Sequence, residues 1–292
     1  MTLTKNIMAL PVMLLWITSC SASGSDTSVS AIHGADETTV TDTVPCQAKE
    51  DTAGIQPDMP LGVRALMHAY PDFVVGYADG RIRMADGSEL TYDDGKEKSF
   101  DELLDNSDIE DMFFVPYEVP DSAPAYLSDA GRSRSDAFFK KMYGADEAAV
   151  RRQLERVDWF GQRVYFSRTN GAADSLRRVA AELAAHPDLR PLLKSSGTFY
   201  WRKVRGANRQ SAHSYGIAFD IGVDKSDYWK FRNPRARETD RIRYRNRIPA
   251  RIVEIFEKHG FIWGGAWYHY DTMHFEFRPE LLHYRDLYKA HR

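Results

Sequence analysis

His213 and Asp220 stand seven residues apart in "SAHSYGIAFD", and His274 comes later in "DTMHFEF", three residues after Asp271. Two imidazoles and a carboxylate make a zinc donor set. The ion takes neutral imidazole nitrogen and carboxylate oxygen in tetrahedral geometry, and a catalytic zinc keeps three protein ligands with the fourth place open. His213, Asp220 and His274 are therefore read as candidate ligands of one zinc ion per chain, with an ordinary hydrogen-bonded histidine–aspartate pair as the alternative. A hydrolytic zinc also requires a base that takes a proton from water and returns it to the leaving amine. Asp271 is the favoured base, close to the site without being a ligand. Glu276 is its rival, because strand alternation puts it on the same face as His274.

A turn and several strands must carry these residues. "GIAFDIGV" (216 to 223) alternates so that Ile217, Phe219, Ile221 and Val223 share one face and Ala218, Asp220 and Gly222 the other, which leaves Asp220 as the one charge on a small-residue face. The Ser-Tyr-Gly turn before it folds His213 back over that face, and Gly216 supplies the backbone freedom for the reversal. "GTFYWRKV" (197 to 204) and the stretch 273 to 278 read as neighbouring strands. "DEAAVRRQLERVDWFG", "AADSLRRVAAELAAHPDLRPLL" and "RIVEIFEKHGF" have helical spacing. The predicted fold is α+β: a small, mainly antiparallel sheet with flanking helices, a zinc site on the sheet face, and an N-terminal extension.

That extension divides by composition. Residues 1–20 carry Lys5, an apolar run from Ile7 to Ile17 too short to span a bilayer, and small residues before Cys20, and they read as a signal peptide. The pattern resembles a bacterial lipobox, in which Cys20 is lipidated and gives the only membrane contact; an ordinary cleaved signal is the alternative. Residues 21–58 hold eleven Ser or Thr, seven acids and no aromatic residue, and read as a disordered tether. Residues 59–150 form an accessory region with a β-hairpin around the Asp-Gly pairs 79–80 and 86–87. Residues 151–292 form the domain with the zinc site. A net charge of -3 argues against a nucleic-acid partner, and only two cysteines, Cys20 and Cys46, exclude a disulfide framework.

Ser211, His213, Gly216, Ala218 and Asp220 in "SAHSYGIAFDI" resemble the Ser-x-His-x-x-Gly-x-Ala-x-Asp signature of the zinc D-alanyl-D-alanine carboxypeptidases and L-alanyl-D-glutamate peptidases that trim peptidoglycan. "WGGAWYHYDTMHFEF" is similar to that family's second signature, an acid followed by two spacers and the last metal histidine. The resemblance spans roughly 155 to 280. It implies His213, Asp220 and His274 as zinc ligands, Asp271 as catalytic base, and peptidoglycan stem peptide as substrate in the cell envelope. It also implies an arginine on a preceding strand that polarises the substrate carbonyl or holds its carboxylate. Arg202, Arg205 and Arg209 are available for that role, and Arg202, inside the predicted strand, is preferred.

Ala266 stands where endopeptidases of the family often have an aspartate after the Gly-Gly pair, so that acid's role in substrate choice has no bearer. A non-catalytic module that binds zinc or cell-wall peptide on the same scaffold is therefore the alternative to a peptidase. Ser211 is expected to orient its loop or bind substrate, since no base stands ready to activate it. Trp267 and Glu276 are further substrate-binding candidates, and Trp263 and Tyr268 either stack on substrate or pack the core. The eight arginines from Arg232 to Arg251 read as a solvated face or as a contact for anionic cell-wall groups.

Overall fold

The structure, a computed structural model, describes residues 58–292. The signal peptide, Cys20, Cys46 and all of the tether before Asp58 lie outside the described residues. α1 (Leu61–Ala69) leads into an antiparallel sheet of β1 (Val74–Ala78), β2 (Arg81–Met84) and β3 (Glu89–Thr91). Asp79 and Gly80 both take positive φ between β1 and β2, which is the hairpin turn their pairing predicts. α2 (Phe100–Asp105) begins with a capping box between Ser99 and Glu102. α3 (Asp136–Tyr143) and α4 (Glu147–Arg151) follow.

The stretch 146–161 is helical only at its start. α4 stops at Arg151, and β4 (Leu154–Trp159) turns at Phe160-Gly161 into β5 (Gln162–Ser167). Buried Val157 and Trp159 alternate with exposed Arg156 and Asp158, a period of two that the shorter helical pattern masks. α5 (Ala172–Leu183) starts behind Asn170-Gly171 as its spacing predicts.

The sheet that carries the site has four antiparallel strands in the order β6 (Ser195–Gly197), β7 (Ala218–Ile221), β9 (His274–Phe277), β8 (Phe261–Trp263). α6 (Trp229–Arg232) and α7 (Ala250–Lys258) lie between β7 and β8, and α8 (Pro279–Ala290) follows β9. The strand expected over 197–204 is not there. β6 ends at Gly197, and residues 198–210 form a loop tied by one isolated bridge between Lys203 and Gln210, so Arg202 sits in that loop. Gly206 with φ 78 at the loop tip turns the chain back before a full strand can form. β8 is an added strand: "FIW" is short and wholly apolar, so no alternation marks it after the helix.

The register explains the site. Phe219 pairs with Phe275 and Asp220 with His274 across β7 and β9, so the two faces are sharply different. One face puts Phe219 and Phe275 with Trp159, Phe256 and Phe261 in the core, where Phe256 stacks on Phe275 at 3.9 Å. Each such fully buried aromatic contributes about 1.5–3 kcal/mol of transfer free energy. The other face presents Asp220, His274 and Glu276. Among the described residues the accessory region and the region after it are packed into one compact unit. No helix among the described residues is long and apolar enough to cross a membrane.

Candidate metal centre

His213 reaches Asp220 from a single 3₁₀ turn, Ala212–Tyr215, that ends on Gly216 at φ 67. A Cβ on Gly216 would lie 2.4 Å from Leu154 Cδ2, and the Gly216 carbonyl accepts the Ser167 N–H at 2.8 Å, so this reversal is pinned against the β4–β5 hairpin. Gly216→Ala is expected to destabilise the fold by about 1–2 kcal/mol through the left-handed backbone alone, read as a lower denaturant midpoint. An unchanged midpoint would show that the turn relaxes.

His213 Nε2 lies 3.2 Å from Asp220 Oδ2, and His274 Nδ1 lies 3.0 Å from Asp220 Oδ1. One donor atom from each of the three residues lies within 4.8 Å of the others. Zinc–ligand bonds of about 2.0–2.1 Å in a tetrahedron put neighbouring donors on the order of 3.3 Å apart, so little movement separates this group from a coordination shell. The remaining ring nitrogens are already engaged. His213 Nδ1 faces the Thr198 carbonyl at 2.7 Å, which can only accept, so Nδ1 carries a hydrogen and Nε2 is the nitrogen left toward Asp220. His274 Nε2 faces Glu276 Oε1 at 3.0 Å. An acceptor behind each imidazole is the arrangement that fixes metal-binding histidines.

The electrostatics also suit a divalent cation. Burial works against ionisation of Asp220, but the charge of His213 and hydrogen bonds from both histidines hold it well below the usual carboxylate range. Burial likewise disfavours a charged His274, yet its hydrogen bonds to Asp220 and Glu276 push it up to about 10. Without a cation, His274 is thus an imidazolium between two carboxylates. Asp271 is raised to about 7, chiefly by burial and also by the nearby charge of Asp220. Its Oδ1 is buried with no hydrogen-bond partner, although the residue keeps part of its surface at the cavity. A divalent cation at the three donors would offset the charge of Asp220 and favour an ionised Asp271 beside it.

The Trp-Gly-Gly stretch places Asp271. Its N–H donates to the Gly264 carbonyl at 2.9 Å. A Cβ on Gly264 would come 2.7 Å from the Asp271 carbonyl, and one on Gly265 would strike the Trp263 ring at 2.0 Å. Only glycine lets the backbone close here. The site opens into a cavity of about 570 Å³ lined by His213, Asp220, Asp271 and His274 and walled by Tyr228, Trp229, Phe231 and Trp267. A larger groove of about 800 Å³ beside Val119 and Arg245 holds none of these groups.

Residues 205–277 match a family described as D-alanyl-D-alanine carboxypeptidase. That segment holds His213, Asp220, Asp271, His274 and Glu276, so the match falls on the residues gathered in space. It bears out the resemblance carried by the two signatures and supports a peptidase type, hence a hydrolase class, for this segment. No curated protein matches the chain.

The other predicted residues divide by position. Ser211 is buried at the cavity wall, with its N–H on the Arg202 carbonyl at 3.0 Å. Trp267 is a buried wall, its Nε1–H on the Ala130 carbonyl and its ring 5.5 Å from that of His274. Trp263 and Tyr268 are buried packing. Arg202 is exposed at the cavity rim, and its guanidinium donates to the Lys203 carbonyl at 3.3 Å. Arg209 is buried beside the same cavity and paired with Asp105. Glu276, expected to meet substrate, is 1% exposed and gives both oxygens to His274, Arg134 and Arg278. All eight arginines of the run are exposed; Arg237, Arg247 and Arg251 are paired with neighbouring acids.

Sequence reasoning missed several contributors. Ser214 accepts the Arg202 N–H at 2.9 Å and clips the 198–204 loop to the His213 turn. Phe231, 61% exposed, lines the cavity with Tyr228 from "SDYWKFR", where the neighbouring arginines drew attention away. Arg278 lies two residues past Glu276, and continued alternation along "HFEFR" was the signal that could have found it.

Proposed function

We propose that the protein is a zinc-dependent peptidase of the bacterial cell envelope that hydrolyses peptidoglycan stem peptides, held at the membrane through a lipid on Cys20. The observation that carries this reading is the His213–Asp220–His274 group opening onto the cavity with the unpartnered Asp271 oxygen beside it. His213 Nε2, an Asp220 oxygen and His274 Nδ1 would hold the ion. Bound there, zinc supplies Lewis acidity toward a carbonyl and makes a water molecule more acidic.

This chain's own residues do the rest. Asp271, whose carboxyl burial raises to about 7 in the metal-free protein, can take a proton from water and give it to the leaving amine. Trp267 and the Tyr228–Trp229–Phe231 wall narrow the cavity around the peptide and limit water. Arg202 makes no ion pair with a carboxylate among the described residues, so its charge is available to substrate. Arg202→Ala is expected to lower kcat/KM by about 10- to 100-fold, the range of a hydrogen bond to a charged group, with thermal stability unchanged because the side chain is exposed. Equal kcat/KM would remove Arg202 from the site.

The test is mass spectrometry of muropeptides incubated with the zinc-loaded full chain, beside Asp271→Asn. Loss of a terminal alanine, or a cut within the stem, that vanishes in the variant supports the peptidase and names its bond. Intact muropeptides despite one bound zinc would instead indicate the binding module.

A further inference from the structure

Behind His274 lies a chain of buried charges that reaches outside the matched segment. Glu276 Oε1 accepts from His274 Nε2 at 3.0 Å and from Arg134 Nη1 at 2.9 Å, while Oε2 accepts from Arg278 Nη1 at 3.3 Å. Arg134 and Arg278 both donate to the Gly131 carbonyl, at 3.0 and 3.1 Å. Gly131 has φ 98, and a Cβ there would lie 2.4 Å from Ile262 Cδ1, so the backbone that presents this carbonyl is locked against β8. Beyond, Arg278 donates to Glu280, and Tyr70 donates to the same carboxylate at 2.5 Å. Glu276, Arg278, Glu280 and Tyr70 are at most 1% exposed, and Arg134 is 7% exposed.

Two arginines balance two glutamates in this chain. The Glu276 carboxylate is consequently a fixed acceptor. It cannot turn away from His274 without leaving guanidinium charge buried and unpaired, which costs several kcal/mol per ion. A fixed acceptor behind Nε2 keeps the hydrogen on that nitrogen and Nδ1 turned toward Asp220.

We infer that Arg134, contributed by the region before residue 151, is a positioning residue of the metal centre: it holds Glu276, and Glu276 orients His274. The inference rests on the metal reading above and gives the front region a part in the site. A purely structural ion pair would serve the fold alone. Positioning also sets how well His274 meets a cation.

The test compares the full chain with Glu276→Gln, Arg134→Lys and Tyr70→Phe. Zinc affinity is measured by chelator competition, cobalt(II) is added as a spectroscopic probe, and melting temperature is recorded. Glu276→Gln is expected to weaken zinc binding by about 10- to 100-fold and to shift the cobalt absorption bands; Arg134→Lys is expected to move both in the same direction. Tyr70→Phe, at the far end of the chain, is expected to lower the melting temperature and leave both metal readouts alone. Zinc affinity and cobalt bands equal to wild type in Glu276→Gln and Arg134→Lys would overturn the inference while leaving the metal reading in place. A wild-type chain that binds no zinc would overturn both. If Glu276→Gln does not fold, Arg134→Lys decides alone, because it keeps the charge that balances Glu276.

Discussion

Asp271→Asn is expected to slow stem-peptide hydrolysis by about 10²- to 10⁴-fold, the usual contribution of a positioned acid–base group, with zinc still bound. Asparagine keeps the shape and the backbone bonds to Gly264 and from His274, but its amide cannot take a proton. The variant also carries a signature in stability. In the metal-free protein the Asp271 carboxyl is raised to about 7, first by burial, so the fold binds its proton more tightly than the unfolded chain does. Ionisation therefore costs stability progressively from the unfolded value of about 3.9 upward, and the cost levels off above pH 7. Metal-free Asp271→Asn is expected to melt above wild type at pH 8, with the gain vanishing toward pH 4. A group that weakens the fold at the pH where it works is placed for chemistry. Full hydrolysis by the variant would transfer the base role elsewhere, and an equal melting temperature at pH 8 would mean that the carboxylate is better solvated than its buried Oδ1 indicates.

The three side chains of the candidate centre were legible because each is fixed by short-range rules. Alternation along 216–223 isolates Asp220 on the small-residue face, and the β7–β9 register then sets it opposite His274. Gly216 announces the turn, and the two Asp-Gly pairs announce the front hairpin. What escaped depends on distant partners. Arg134 meets Glu276 across 142 residues, and no local pattern marks an arginine as destined for burial. Glu276 does border the cavity, as its face predicts, but alternation gives a face and not the partners on it; Arg134 and Arg278 take up its carboxylate. The strand expected over 197–204 failed for a related reason: β-forming residues are present, but Ser214 and the His213 carbonyl take up the backbone bonds of Tyr200 and Arg202 that a neighbouring strand would need.

Removing zinc with a chelator is expected to abolish hydrolysis and to lower the melting temperature. At a free zinc concentration a thousand times its Kd, binding to the folded state alone adds about 4.1 kcal/mol. For a domain of this size, about 2–4 °C per kcal/mol converts that to a shift on the order of 10 °C. His213→Ala removes one of the three donors, so its melting temperature should no longer respond to zinc, and its activity should match the chelated wild type. The variant also identifies the site. Carboxylates cluster elsewhere among the described residues, at Asp93, Asp94 and Asp108 and at Asp108, Glu110 and Asp111. Lys98 already lies among them, 3.2 Å from Asp94, 3.0 Å from Asp108 and 2.5 Å from Asp111, and supplies the positive charge a metal would bring. Those clusters also lack the imidazole nitrogen that zinc favours. A zinc-dependent rise that survives in His213→Ala would nevertheless place the ion outside the histidine group, and the peptidase reading would lose its cofactor. Loss of the rise together with loss of hydrolysis would tie metal and chemistry to the same three side chains.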